Sequence, residues 1–119
     1  MAYGTINVDT LTASTGVLAT QNGMTGIAKA WANFVGSTAV VNASFNVSSV
    51  TRNSTGNYTL NITTALSSAN YSVTGSTSRS SGGSFFNGTF STTAVNVFLN
   101  TSGGSAVDDT LVCVTVQGA

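Results

Sequence analysis

From Ile27 to the end of the chain, apolar and aromatic residues recur at every second position, in runs separated by Gly, Asn and Ser. A period of two belongs to strands, and no segment carries a convincing helical period. In AKAWANFVG, Ile27, Lys29, Trp31, Asn33 and Val35 share one face, and Ala28, Ala30, Ala32 and Phe34 share the other. Val41, Ala43, Phe45 and Val47 align next. Val50 falls out of that phase, which places a β-bulge near Ser48 and Ser49. A turn-rich loop, Thr51–Asn57, leads to Tyr58, Leu60 and Ile62 alternating with Thr59, Asn61 and Thr63, the best hairpin in the sequence. Further runs hold Tyr71 and Val73; Phe86 and Phe90 around Gly88; Val95, Val97 and Leu99; and Val112, Val114 and Val116 opposite Leu111 and Cys113. About eight short strands at this spacing predict an all-β fold, an antiparallel β-sandwich or Greek-key barrel.

Residues 1–26 have a different texture. Ile6 and Val8 alternate briefly, and then TASTGVLATQNGMTG shows no clear period. This division predicts an N-terminal attachment or connecting segment over 1–26 and a β domain over 27–119. The opening MAYGTINVDTL has neither a basic stretch nor a long apolar one, so no signal peptide is expected. No run approaches the roughly 20 apolar residues of a membrane span. Synthesis in a cytoplasm without membrane insertion is the expectation.

Charge narrows the function classes. The 119 residues contain three cations, Lys29, Arg52 and Arg79, and three anions, Asp9, Asp108 and Asp109, with no His and no Pro. Nucleic-acid binding needs clustered Lys and Arg, which three scattered cations do not supply. His and Glu are missing, so a Ser-His-Asp triad cannot be built and a carboxylate pair must come from Asp alone. Asp108 and Asp109 lie together in a Gly/Ser loop and read as a solvated turn; a weak Ca²⁺ site there, completed by loop carbonyls, is the alternative. No cofactor is expected. Cys113 is the single cysteine and reads as a small buried hydrophobe. Trp31, Phe85 and Phe86 read as core aromatics, with a ligand platform as the alternative. Eight Asn-x-Ser/Thr triplets, beginning at Asn42, Asn46, Asn53, Asn57, Asn61, Asn70, Asn87 and Asn100, follow from a composition rich in these residues. The chain is expected not to be an enzyme.

Several of these residues also form a recognisable set: Lys29-Ala30-Trp31, Asn33-Phe34, SFNVSSVT, a glycine-containing hairpin turn with a Tyr-Thr strand, TTALSSANY and the terminal VCVTVQG. Together with the opening INVDTLTASTG they cover most of the chain. The set resembles the β domains at the ends of bacteriophage tail fibres and related virion appendages. Two positions depart from that pattern: Val35 intervenes before Gly36, and Ser67 and Ser68 stand where the family more often has Pro. The resemblance implies a homotrimeric virion component, commonly the tip that touches the host. A structural capsid decoration or head-fibre protein is the second reading, and a surface-polysaccharide depolymerase is disfavoured by the missing Glu and His.

Two details extend that expectation. The last strand is apolar on both faces, which predicts a subunit interface. The loops holding Arg52 and Asn53, and Arg79 and Ser80, are candidate receptor contacts, since a guanidinium can grip a carboxylate or phosphate on a bacterial surface glycan. Residues 1–26 are expected to dock onto other virion proteins.

Overall fold

The alternation becomes eight strands: β1 Ala28–Phe34, β2 Val41–Phe45, β3 Val47–Ser54, β4 Asn57–Ile62, β5 Tyr71–Thr77, β6 Gly83–Phe90, β7 Ala94–Thr101 and β8 Val112–Gly118. The computed structural model describes residues 28–80 and 82–118; the expected attachment segment 1–26 lies outside the described residues. Two antiparallel four-stranded sheets form, sheet A in the order β2-β1-β8-β5 and sheet B in the order β3-β4-β7-β6. The fold is therefore an all-β sandwich of two separate sheets.

The core fills the space between them. Sheet A contributes Ala30, Ala32 and Phe34 from β1, Val112, Val114 and Val116 from β8, and Val73 from β5. Sheet B answers with Val47, Val50, Tyr58, Leu60, Ile62, Val95, Val97 and Leu99. The ring of Phe34 meets that of Tyr58 edge-on, with centroids 5.1 Å apart. Strand β1 thus buries its alanine face, and the face bearing Trp31 turns outward. Leu66, in the connection after β4, adds a buried plug and donates its amide to the Thr92 carbonyl.

Three local features set this topology. Val47 pairs with Ile62 and Ser49 with Asn61, so Ser48 is the extra residue of a bulge where the phase change placed it. That bulge returns Val50 to the core face. Asn46, between β2 and β3, has φ of 55°, a left-handed conformation that Asn tolerates better than most residues. It turns the chain from sheet A into sheet B and is held there by its own side chain, which donates to the Lys29 and Thr64 carbonyls and accepts from the Thr64 amide. The phase shared by Val41 to Val47 in sequence is therefore cut at Asn46. The third feature is a correction: Thr51–Asn57 is not a loop. Strand β3 continues through Arg52 to Ser54, and Thr55 and Gly56 alone make the turn. Gly56 allows this because its φ is +65°, and its carbonyl accepts from the Leu99 amide.

Candidate functional site

The segment after β7 folds back on that strand: Thr101 donates its amide to the Ser105 carbonyl, Val107 does the same to Leu99, and Asn100 bridges Ala106. It delivers Asp108 and Asp109 to the end of the sandwich, where the two side chains part. Asp108 joins the sheet B side. One carboxylate oxygen accepts from Arg52 Nε at 3.0 Å and Nη2 at 2.6 Å; the other accepts from the Gly56 amide at 2.9 Å and the Tyr58 hydroxyl at 2.5 Å. Asp109 reaches sheet A's loop, accepting from Arg79 Nη2 at 2.6 Å, while its backbone carbonyl accepts from the Gly36 amide. The aspartates are a cross-brace between hairpins and not a solvated turn: Asp109 is 7% exposed. Each is held by its own arginine rather than converging with the other on a cation, and no cluster of three metal-ligating side chains occurs among the described residues.

Burial pushes the Asp108 carboxyl up, but the hydrogen bonds from Arg52, Gly56 and Tyr58 outweigh it and hold the group at about 2. Burial, and then the bond to Asp108, push the Tyr58 hydroxyl well above its ordinary value. The pair is thus fixed as carboxylate and neutral phenol, a structural arrangement with no proton poised to move near neutral pH.

These contacts place the four residues expected to touch a receptor. Arg52 stands on β3 with its guanidinium spent on Asp108 and Thr55. Asn53 donates to Asn57 and Thr59 on the neighbouring strand. Arg79 follows β5 with Nη2 on Asp109, and Ser80 is exposed beside it. The structure does not bring them together as one patch of free donors.

Part of the outer face of sheet B, over β3, β4 and Asn96 of β7, is held by side-chain hydrogen bonds. The Asn53 amide bonds Thr59 at 2.8 Å, the Asn61 amide bonds Ser49 and Thr51, and the Asn96 amide bonds Asn57 at 2.8 Å. Asparagines counted as Asn-x-Ser/Thr triplets are here the rungs of a side-chain ladder.

The outer face of sheet A is different. Register places Phe45, Trp31, Thr115 and Thr74 in one row across its four strands. Trp31 is 37% exposed and Phe45 is 55% exposed, so the indole expected in the core lies on the surface beside a second ring. Gln117 and Ser72 pair in a neighbouring row. Their side chains, with those of Thr74 and Thr115, make no hydrogen bond among the described residues, in contrast to the ladder opposite. Cys113 is half-buried on this face rather than fully buried, and the Asn33 amide donates to its sulfur at 3.3 Å. The apolar second face expected of the last strand reduces to this thiol, because Thr115 and Gln117 follow it outward.

Trp31, Phe85 and Phe86 do not converge. Phe85 packs toward Gly75, and Phe86 is exposed on the outer face of sheet B. Phe45 was the partner to find, and the signal was in β1: the Trp31 face alternates with alanines and carries Lys29 and Asn33, the mark of an outer face.

The fold defines a class, an all-β sandwich of two antiparallel sheets, with Trp31 and Phe45 exposed on one outer face and Phe86 on the other. No family model matches the chain, and neither a curated protein nor a solved structure shows significant similarity to it.

Proposed function

We propose that this chain is a bacteriophage virion component, a fibre-tip or receptor-binding module that meets the bacterial surface through the outer face of sheet A. It works by contact rather than catalysis, and three copies in a homotrimer multiply a weak single contact through avidity. The observation that carries the reading is the Trp31–Phe45 pair. Sheet A exposes these two rings side by side amid hydroxyls that make no hydrogen bond among the described residues. Adjacent exposed aromatics on a rigid sheet are costly to leave in water and favourable to cover. The motif resemblance supplies the virion context, and the braced arginines shift the contact from loops to a sheet face.

The test is adsorption blocking. Pre-incubating host cells with the isolated protein should slow phage adsorption in proportion to occupancy, and the Trp31→Ala protein should block poorly. A protein that labels virions by immunogold yet never competes for adsorption would favour a purely structural decoration instead.

A further inference from the structure

We propose that Asn87, on β6, is a site of spontaneous covalent modification, where the side chain closes onto the backbone and reopens as aspartate or isoaspartate. Among the described residues Asn87 is the one asparagine followed by glycine. A neighbour without a side chain leaves its backbone nitrogen open to attack and its dihedrals free to turn. The packing demands that glycine: a Cβ at Gly88 would overlap the Asn96 amide and the Phe98 ring.

The local fold leaves the pair open. Asn87 pairs with Val97 and Phe90 with Val95, so Gly88 and Thr89 together oppose Asn96 alone. A ladder is disrupted at such a bulge, and its residues are less tightly held than those of a regular strand. β6 is also the outer strand of sheet B, and Asn87, Gly88 and Thr89 are all exposed. Asn46, Asn53, Asn61 and Asn96 spend their side-chain amides on hydrogen bonds, whereas the Asn87 side chain makes none among the described residues. Asn70 and Asn100 share that freedom, but Tyr71 and Thr101 follow them and crowd the nitrogen.

The chemistry needs only water. The Gly88 nitrogen gives up its proton to solvent and attacks Asn87 Cγ. The N–Cγ bond forms, the Cγ–Nδ2 bond breaks, and Nδ2 takes a proton from solvent and leaves as ammonia. Water then opens the cyclic imide. Cleavage at Cγ gives aspartate, and cleavage at the backbone carbonyl gives isoaspartate, which lengthens the main chain by one methylene. Either product puts a carboxylate on a strand that has no charged residue and takes the chain from net zero to one negative charge. A charge on an edge strand opposes the addition of another strand there.

The test follows the full-length protein at mildly acidic and mildly alkaline pH, by peptide mapping with mass spectrometry and by isoaspartyl methyltransferase labelling. Mapping separates residue 87 from Asn22-Gly23, the other such pair in the chain. In the folded protein Asn87 should convert at least about tenfold faster than Asn70 or Asn100, and within about tenfold of its rate in the guanidinium-unfolded chain. The rate should rise with pH, because the attacking nitrogen must lose a proton. Methyl label should appear in the peptide holding residue 87 and vanish from it in Asn87→Gln, whose longer side chain closes a less favourable ring, with circular dichroism unchanged. Asn87 intact in the folded protein while the unfolded chain reacts, or conversion no faster than at Asn70 and Asn100, overturns the proposal.

Discussion

The hydroxyl of Tyr58 donates to the carboxylate of Asp108 across 50 residues of sequence, and the same carboxylate takes Arg52 and the Gly56 amide. Tyr58 is fully buried against Phe34, so this contact ties the loop after β7 into the centre of the core. Asp108→Asn keeps the shape but removes the charge and should cost about 1–3 kcal/mol in urea unfolding. A cost near zero would show that the brace is incidental.

The same carboxylate sets a pH dependence. Its folded pKa is depressed to about 2 from an ordinary value of 3.8, so the unfolded chain binds the proton more readily. The stabilisation is complete above the ordinary value and is lost as pH falls from about 4 through 2. Wild-type unfolding midpoints should drop over that window, and Asp108→Asn should flatten that part of the curve. Identical acid profiles for the two proteins would contradict the assignment.

Asn46 combines a backbone conformation with a set of bonds. Asn46→Ala loses both and should destabilise by about 2–3 kcal/mol, whereas Asn46→Gly keeps access to positive φ and should cost less. Thermal melts of the two variants separate these contributions; equal losses would mean that conformation contributes nothing.

Lys29 is 9% exposed, and its Nζ is buried with no hydrogen-bond partner among the described residues. An unsatisfied buried ammonium is costly. Lys29→Met keeps the length of the side chain and should stabilise the fold by roughly 1 kcal/mol or more. A loss of stability on this change would reveal a partner for the ammonium in the assembled protein.

Assembly is checked by light scattering on a sizing column, which should return about three times the chain mass. A monomer at micromolar concentration would remove avidity from the account while leaving the contact face in place.

The sequence shows the strands well because side-chain alternation is local. Val95, Val97 and Leu99, and Val112, Val114 and Val116, each fall on the buried face their spacing predicts. The phase break before Val50 likewise marks the bulge at Ser48. What escapes is whatever depends on distant partners. Arg52 lies in a polar run that reads as loop, and its strand pairing with Tyr58 and ion pair with Asp108 emerge only when β3, β4 and the loop after β7 meet. Asp109 reads as solvated because Arg79, 30 residues away, is not visible as its partner. Trp31 and Phe45 belong to different runs, and only the β1–β2 register sets them side by side.

Cell binding by flow cytometry tests the central claim most directly, comparing fluorescently labelled wild type, a Trp31→Ala/Phe45→Ala variant and Phe86→Ala. Phe86 is an exposed ring of similar size on the outer face of sheet B and controls for a general loss of surface hydrophobicity. The account predicts that the double change on sheet A reduces binding to host cells at least about tenfold, with oligomeric state and circular dichroism unchanged, while Phe86→Ala binds as wild type does. Undiminished binding by the double variant, or an equal loss in Phe86→Ala, would contradict it.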